Sequence, residues 1–197
     1  MYRNIEKDKL HTLIQGCMRG EAPMQREFYY FYFPVLMRLA VRYAPSREDA
    51  EQWVHDAFLK IFGSLDKYEN LGSFEGWIKK ITVRVCLDNL RKNSAQKNEI
   101  EMNTVYTDYD LADQAGYINN EVVSKMSAEG LLALLNTLPE KQKTVFNLHV
   151  FEDYSHKEIA ALLHITENNS YWLLHQARKN LKENISVSNK KKELCHE

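Results

Sequence analysis

Helical periodicity runs through this chain twice and is interrupted once, and the interruption constrains the fold more than any other feature. From about residue 4 to residue 93, apolar residues recur at helical spacing almost throughout. Between Asn98 and Met126 that spacing fades, and past the gap it returns. The gap is acidic: Glu99, Glu101, Asp108, Asp110, Asp113 and Glu121 stand against Lys125 alone, a net charge of −5. A stretch with that balance and no apolar stripe stays solvated as a linker. With only 7 Gly and 4 Pro in 197 residues there is little material for a turn-rich β protein, so both flanking halves are expected to be helical.

The helix boundaries are written in capping residues. "REFYYFYFPVLMRLAVRYA" is a long apolar-rich helix in which Pro34 predicts a kink rather than an end. "SREDAEQWVHDAFLKIF" opens at Ser46, whose hydroxyl can cap the Asp49 amide, and "SFEGWIKKITVRVCLDNLRK" opens likewise at Ser73. Beyond the gap, "TLPEKQKTVFNLHVF" places Pro139 in a first turn, and "SHKEIAALL" has Ser155 and Glu158 at capping-box spacing. A short "HIT" turn then leads into "TENNSYWLLHQARKNL", the layout of a helix-turn-helix. The expected fold is all-α, two small helical domains: a bundle over 1–95 and a helix-turn-helix domain over 128–186. An acidic linker over 96–127 joins them, and a basic tail covers 187–197.

Several function classes lose support at this stage. The opening "MYRNIEKDKLHTLIQG" is charged and amphipathic, unlike a secretory signal, and no apolar run reaches a membrane span, so no membrane insertion is expected. Cys17, Cys86 and Cys195 are scattered, without a CxxC or a Cys/His cluster, which favours thiols in a reducing cytoplasm. No metal-ligand spacing, nucleophile motif or phosphate loop appears, so neither cofactor nor catalysis is expected.

Two faces do not look like ordinary surface. At about 100° per residue, Ala50, Val54, Ala57, Phe58 and Ile61 form a core stripe. The opposite side presents Gln52, His55, Asp56 and Leu59, with Trp53 and Phe62 flanking, which is either plain surface or a docking face. From Phe74 to Lys97, six basic residues (Lys79, Lys80, Arg84, Arg91, Lys92, Lys97) face Glu75 and Asp88, a net of +4. Tyr68, Phe74 and Trp77 lie beside that charge. Cations that track phosphates next to rings that stack on splayed bases suit single-stranded nucleic acid, the alternative being a solvated basic face.

Together, "REDAEQWVHDAFLKIF", "GSFEGWIKKITVRVCLDNLRK" and "LPEKQKTVFNLHVFEDYSHKEIAALLHIT" resemble, in order, three segments of bacterial RNA polymerase sigma factors. These are the polymerase-clamp-binding helix, the promoter-melting and −10-reading segment, and the −35-binding domain of the extracytoplasmic-function (ECF) branch. The resemblance implies a promoter-specificity subunit without catalysis, whose partners are core RNA polymerase (clamp and flap) and promoter DNA. An anti-sigma factor or a DNA-bound recruiting protein is a further partner class it leaves open. It implies polymerase docking through Gln52, Trp53, His55, Asp56, Leu59 and Phe62. It implies capture of a flipped −10 base by the Tyr68–Ser73 loop, including Asn70 and Ser73, with Phe74, Trp77, Lys79, Lys80 and Arg84 steadying the strand. His55 and Asp56 stand where the family usually has a Gln-Glu pair, and Arg84 where asparagine is frequent.

The last helix departs furthest. Ser170, Leu174, Ala177 and Leu181 form its inward stripe, which predicts Trp172 and Lys179 roughly opposite, Asn168, His175 and Gln176 beside them, and Tyr171 and Leu173 on the flanks. Positive charge is delayed to Arg178, Lys179 and Lys182. Three readings remain open for Asn168, Asn169, Tyr171, Trp172, His175, Gln176, Arg178 and Lys179. Trp172 covers a neighbouring surface; or the face reads a −35 element with amides and rings; or it docks a protein.

Overall fold

The computed structural model describes residues 7–69, 72–96 and 127–194. Its helices are α1 (Lys7–Met18), α2 (Ala22–Ala40), α3 (Arg47–Phe62), α4 (Phe74–Gln96), α5 (Ala128–Leu135), α6 (Glu140–Phe146), α7 (His156–Leu163) and α8 (Glu167–Leu194). They form two packed units, α1–α4 and α5–α8. The acidic segment expected as a linker, Asn70 and Cys195 lie outside the described residues.

In the N-terminal unit α2 is the central element, packed on α1, α3 and α4. It runs unbroken through Pro34, whose missing N–H costs one ladder bond without ending the helix. Ser46 caps α3 by accepting from the Asp49 amide at 3.0 Å, and Ser73 accepts from the Gly76 amide at 3.3 Å at the start of α4. The core is aromatic. Phe28 meets Tyr32, Phe58, Phe62 and Phe74 at ring separations of 4.8, 6.2, 5.4 and 5.8 Å. Cys17 and Cys86 are buried, and burial followed by Glu21 and Glu27 pushes the Cys17 thiol up to about 11, so it stays protonated and unreactive.

In the C-terminal unit α8 is the spine, packed against α5, α6 and α7. Pro139 sits at the N-cap of α6 rather than inside its first turn. A π-helical turn over Asn147–Phe151 ends α6 and swings the chain toward α7. The Ser155–Glu158 capping box forms in full. His164, in the left-handed region at φ 55°, closes α7, and the Thr166 hydroxyl accepts from the Asn169 amide at 3.1 Å to open α8. The helix continues to Leu194, so no helix end marks the expected start of the tail at 187. Among the described residues no helix is long and apolar enough to cross a membrane.

Candidate nucleic-acid and partner-binding faces

On α3 the expected stripe of Ala50, Val54, Ala57, Phe58 and Ile61 is buried, and Gln52, His55 and Leu59 are exposed on the other side. Leu59 is 72% exposed, and Asp56 is half-buried. Two residues expected on this docking face turn inward. Trp53 is only 3% exposed, because it lies three residues after Ala50 and four before Ala57, at the edge of the buried stripe, where the large indole reaches the core. Phe62 is half-buried, with its ring 5.4 Å from Phe28 and 6.0 Å from Phe58. Both therefore support the face from beneath.

A neighbour that sequence reasoning passed over completes this face. The Tyr29 hydroxyl on α2 lies 2.9 Å from His55 Nε2, with the two rings stacked at 6.0 Å. Phe33 sits 6.2 Å from the same imidazole. His55 is thus held in one orientation by α2. Burial, then Tyr30 and Glu51, raises the Tyr29 phenol above its ordinary value, so it remains a neutral partner. Tyr30 beside it is 64% exposed, with the Arg26 guanidinium 5.7 Å over its ring. The i, i+4 spacing of Tyr29 and Phe33 in the sequence was the available clue.

The second face begins with a 3-10 turn, Leu65–Lys67. Tyr68 follows, and its hydroxyl donates to the Gly72 carbonyl at 2.8 Å, closing the loop before α4. Gly72 has φ 140°, a backbone setting that L side chains rarely adopt, so a glycine belongs there. The Tyr68 ring stands 4.9 Å from Phe74 and 5.4 Å from Trp77. Phe74, expected among the strand-binding residues, is a correction: it is 4% exposed and packs at 5.7 Å on Tyr32, because the first turn of α4 faces the bundle. It is the floor under Tyr68 and Trp77, both half-buried. Ser73 is exposed. Among the cations, Lys79 is drawn to Glu75 at 2.6 Å, whereas Lys80 and Arg84 are exposed one helical turn apart. Asp88 holds Arg91 at 2.7 Å and Lys60 at 3.3 Å.

The third face lies on α8. Ser170, Leu174, Ala177 and Leu181 are all buried, and Leu173 joins them, which widens the inward arc. Asn168 and Lys179 are exposed, while Asn169, His175, Gln176 and Arg178 are half-buried. Trp172, expected opposite the core, is half-buried rather than fully outward. Tyr171 is 39% exposed because its ring lies over His156 at 3.7 Å. His156 was not anticipated. Its Nδ1 is 2.8 Å from the buried Ser170 hydroxyl, and His149 stacks on the opposite face of its ring at 4.5 Å. Burial first, then His149 and Arg178, lowers His156 to about 4, so the imidazole is neutral at neutral pH.

Comparison with known families decides what carries these faces. The family model for Sigma-70 region 2 matches residues 30–96, and that for Sigma-70, region 4 matches residues 128–181. The chain belongs to the sigma-70 family, in its ECF branch. This family comprises transcription initiation factors rather than enzymes. Region 2 covers the α3 face and the Tyr68 loop, and region 4 ends within α8, so the last residues of that helix extend past the match.

Relatives agree with the assignment. The ECF RNA polymerase sigma factor SigE of Mycolicibacterium smegmatis is 28% identical over 151 residues, which is 76% of this chain and 56% of that protein. RNA polymerase sigma factor YlaC of Bacillus subtilis is 26% identical over 165 residues, 82% of this chain and 92% of that protein. Among solved structures, sigma factor RpoE in complex with the anti-sigma factor NepR from Bartonella quintana shares the fold. Its TM-score is 0.53 at 17% identity, over 82% of this chain and 96% of that one.

Proposed function

We propose that this sigma factor directs core RNA polymerase to specific promoters, docking through the outer side of α3 and capturing a −10 strand at the Tyr68 loop. The observation that carries the reading is the joining of these two faces by one aromatic network. Phe58 of the docking helix and Phe74 beneath the loop both meet the ring of Phe28. Gln52, His55, Asp56 and Leu59 form the docking surface, with Tyr29 fixing His55. A flipped base would meet the half-buried rings of Tyr68 and Trp77, while exposed Lys80 and Arg84 contact phosphates and supply affinity rather than sequence. The α5–α8 unit would bind the upstream −35 duplex with the first turns of α8.

Run-off transcription with purified core polymerase tests this, together with copurification of core polymerase with the protein. Promoter-dependent transcripts and stable copurification are expected. A Gln52/His55/Asp56 triple-alanine variant should lose most copurification while keeping its helical circular dichroism. Wild-type-like binding by that variant would remove the docking assignment.

A second reading draws on Val150, Phe151 and Tyr171, the large exposed hydrophobic residues among those described in the C-terminal unit. In it the C-terminal unit docks on another DNA-bound protein instead of reading DNA. Replacing the −35 sequence separates the two: abolished initiation supports direct reading, and undiminished initiation supports recruitment.

A further inference from the structure

The start of α8 is fastened to the rest of its unit by side chains. Ser170, buried on the inward side, is within hydrogen-bond distance of His156 Nδ1 at 2.8 Å. The next residue, Tyr171, lays its ring on the same imidazole at 3.7 Å, and His149 closes the far side at 4.5 Å. His149 is itself anchored, its Nδ1 2.9 Å from the Tyr154 carbonyl. A tyrosine clamped in this way has given up its rotamer freedom before any ligand arrives, and pre-organisation of that kind favours binding. One part of the ring is covered and the rest remains open to solvent in the second turn of the helix that would enter the groove.

The chemistry of these turns is one-sided. From Glu167 to Leu174 there is no lysine or arginine. Guanine is read in the major groove chiefly by a bidentate arginine or by lysine, adenine by asparagine or glutamine, and thymine by apolar contact with its methyl group. Asn168 and Tyr171 are exposed in these turns, Trp172 is half-buried, Asn169 has its Oδ1 buried, and half-buried His175 and Gln176 follow one turn further on. Arg178, the first lysine or arginine of the helix, is half-buried and comes only in the fourth turn. Glu167, exposed in the first turn, adds negative charge where a phosphate would approach.

We infer that the upstream element selected by this chain is A·T-rich, with Tyr171 selecting a thymine through its methyl group and His156 and Ser170 as the positioning residues. The inference deepens the −35-reading proposal above and rests on it. Asn168 lies one turn before Tyr171 on the exposed side, so an adenine contact and a thymine contact would fall on neighbouring base pairs.

The test is a selection from duplexes randomised over 40 base pairs, using the full chain assembled with core polymerase and sequencing the retained fragments. Wild type should enrich a −10 block and, upstream of it, a block dominated by A·T pairs. Tyr171→Phe should keep that block. Tyr171→Gln, which exchanges an apolar ring for an adenine-reading amide, should lose thymine at one position by roughly tenfold and gain adenine there, the other positions unchanged. Ser170→Ala should broaden the preference at that same position only. Helical circular dichroism equal to wild type is required of each variant, and the wild-type block tests the inference on its own. A wild-type block with invariant guanine, or a Tyr171→Gln variant that still enriches thymine, overturns the inference and leaves −35 reading standing. A −10 block with no upstream block overturns the −35 reading itself, and the inference with it.

Discussion

The two units solve the same packing problem with different materials. The N-terminal unit stacks rings: Phe28 is fully buried among Tyr32, Phe58, Phe62 and Phe74, drawn from three helices. The C-terminal unit packs aliphatic side chains, Leu135, Val145, Leu148, Ile159 and Leu174, around buried polar groups. Lys143 donates to Asn136 Oδ1 at 3.3 Å, its burial lowering the ammonium's proton affinity, and His156 pairs with Ser170. Rings contribute large burial and can pair edge-to-face or offset-stacked, whereas a buried polar pair must meet the distance and angle of its hydrogen bond or lose it. The ring stack of the first unit therefore extends into the Tyr68 loop, whereas the polar pairs of the second fix the orientation of one helix.

The largest expected effect probes the ring network. Phe28→Ala should cost the N-terminal unit about 3–5 kcal/mol, the range for deleting a buried aromatic. Because Phe74 rests on Phe28 and carries Tyr68 and Trp77, −10 strand capture should fail in the same variant. Thermal melting of the full chain in a Trp172→Phe background, where fluorescence comes from Trp53 and Trp77, measures the first consequence, and binding of a single-stranded −10 oligonucleotide by the holoenzyme measures the second. Loss of stability with normal strand capture would show that the loop does not depend on the core.

The next effect sharpens the contrast, because it belongs to the C-terminal unit. His156 has a folded-state value of about 4 against an ordinary 6.5. Between those values the unfolded chain binds the proton and the folded chain does not, so stability falls as pH drops from about 6.5 toward 4. The groups facing the ring are His149, Tyr171 and Ser170, with Arg178 near enough to oppose a positive charge. Histidine NMR titration of the full chain should find one imidazole with a midpoint near 4. His156→Phe, which keeps a ring in the stack, should remove this part of the acid sensitivity. An unshifted midpoint would mean that the stack is open to water.

These cases also show where the sequence is readable. Ser46, Ser73 and the Ser155–Glu158 box are local, i to i+3 events, and each forms as its spacing predicts. The α3 and α8 stripes are equally legible, since 100° per residue places Val54 and Leu174 without knowledge of partners. Flank positions are not, because periodicity gives an angle and not a reach. Trp53 and Leu173 carry side chains long enough to turn from a flank into the core. Tyr29–His55 and His156–Ser170 join residues 26 and 14 positions apart, and such pairs depend on how helices cross.

The smallest effect concerns the polar ties between helices. Those of the N-terminal unit include ion pairs, Lys9–Glu27 at 3.2 Å between α1 and α2 and Lys60–Asp88 at 3.3 Å between α3 and α4. Those of the C-terminal unit include neutral amides, Asn180 donating to Gln142 and Asn184 to Thr137, both at 2.8 Å. Exposed ion pairs contribute at most about 1 kcal/mol and are screened by salt, while neutral hydrogen bonds are not. Asp88→Asn should therefore lower the N-terminal unfolding free energy slightly at low salt, and the difference should vanish at about 1 M salt, where the Debye length is only about 3 Å. Asn180→Ala should lower C-terminal stability by a similar amount that salt leaves unchanged. Denaturant melts of both variants at the two salt concentrations make the comparison. A salt-independent loss in Asp88→Asn would mean that Asp88 acts through hydrogen-bond geometry, as Asn180 does, and the contrast between charged and neutral ties would then not hold.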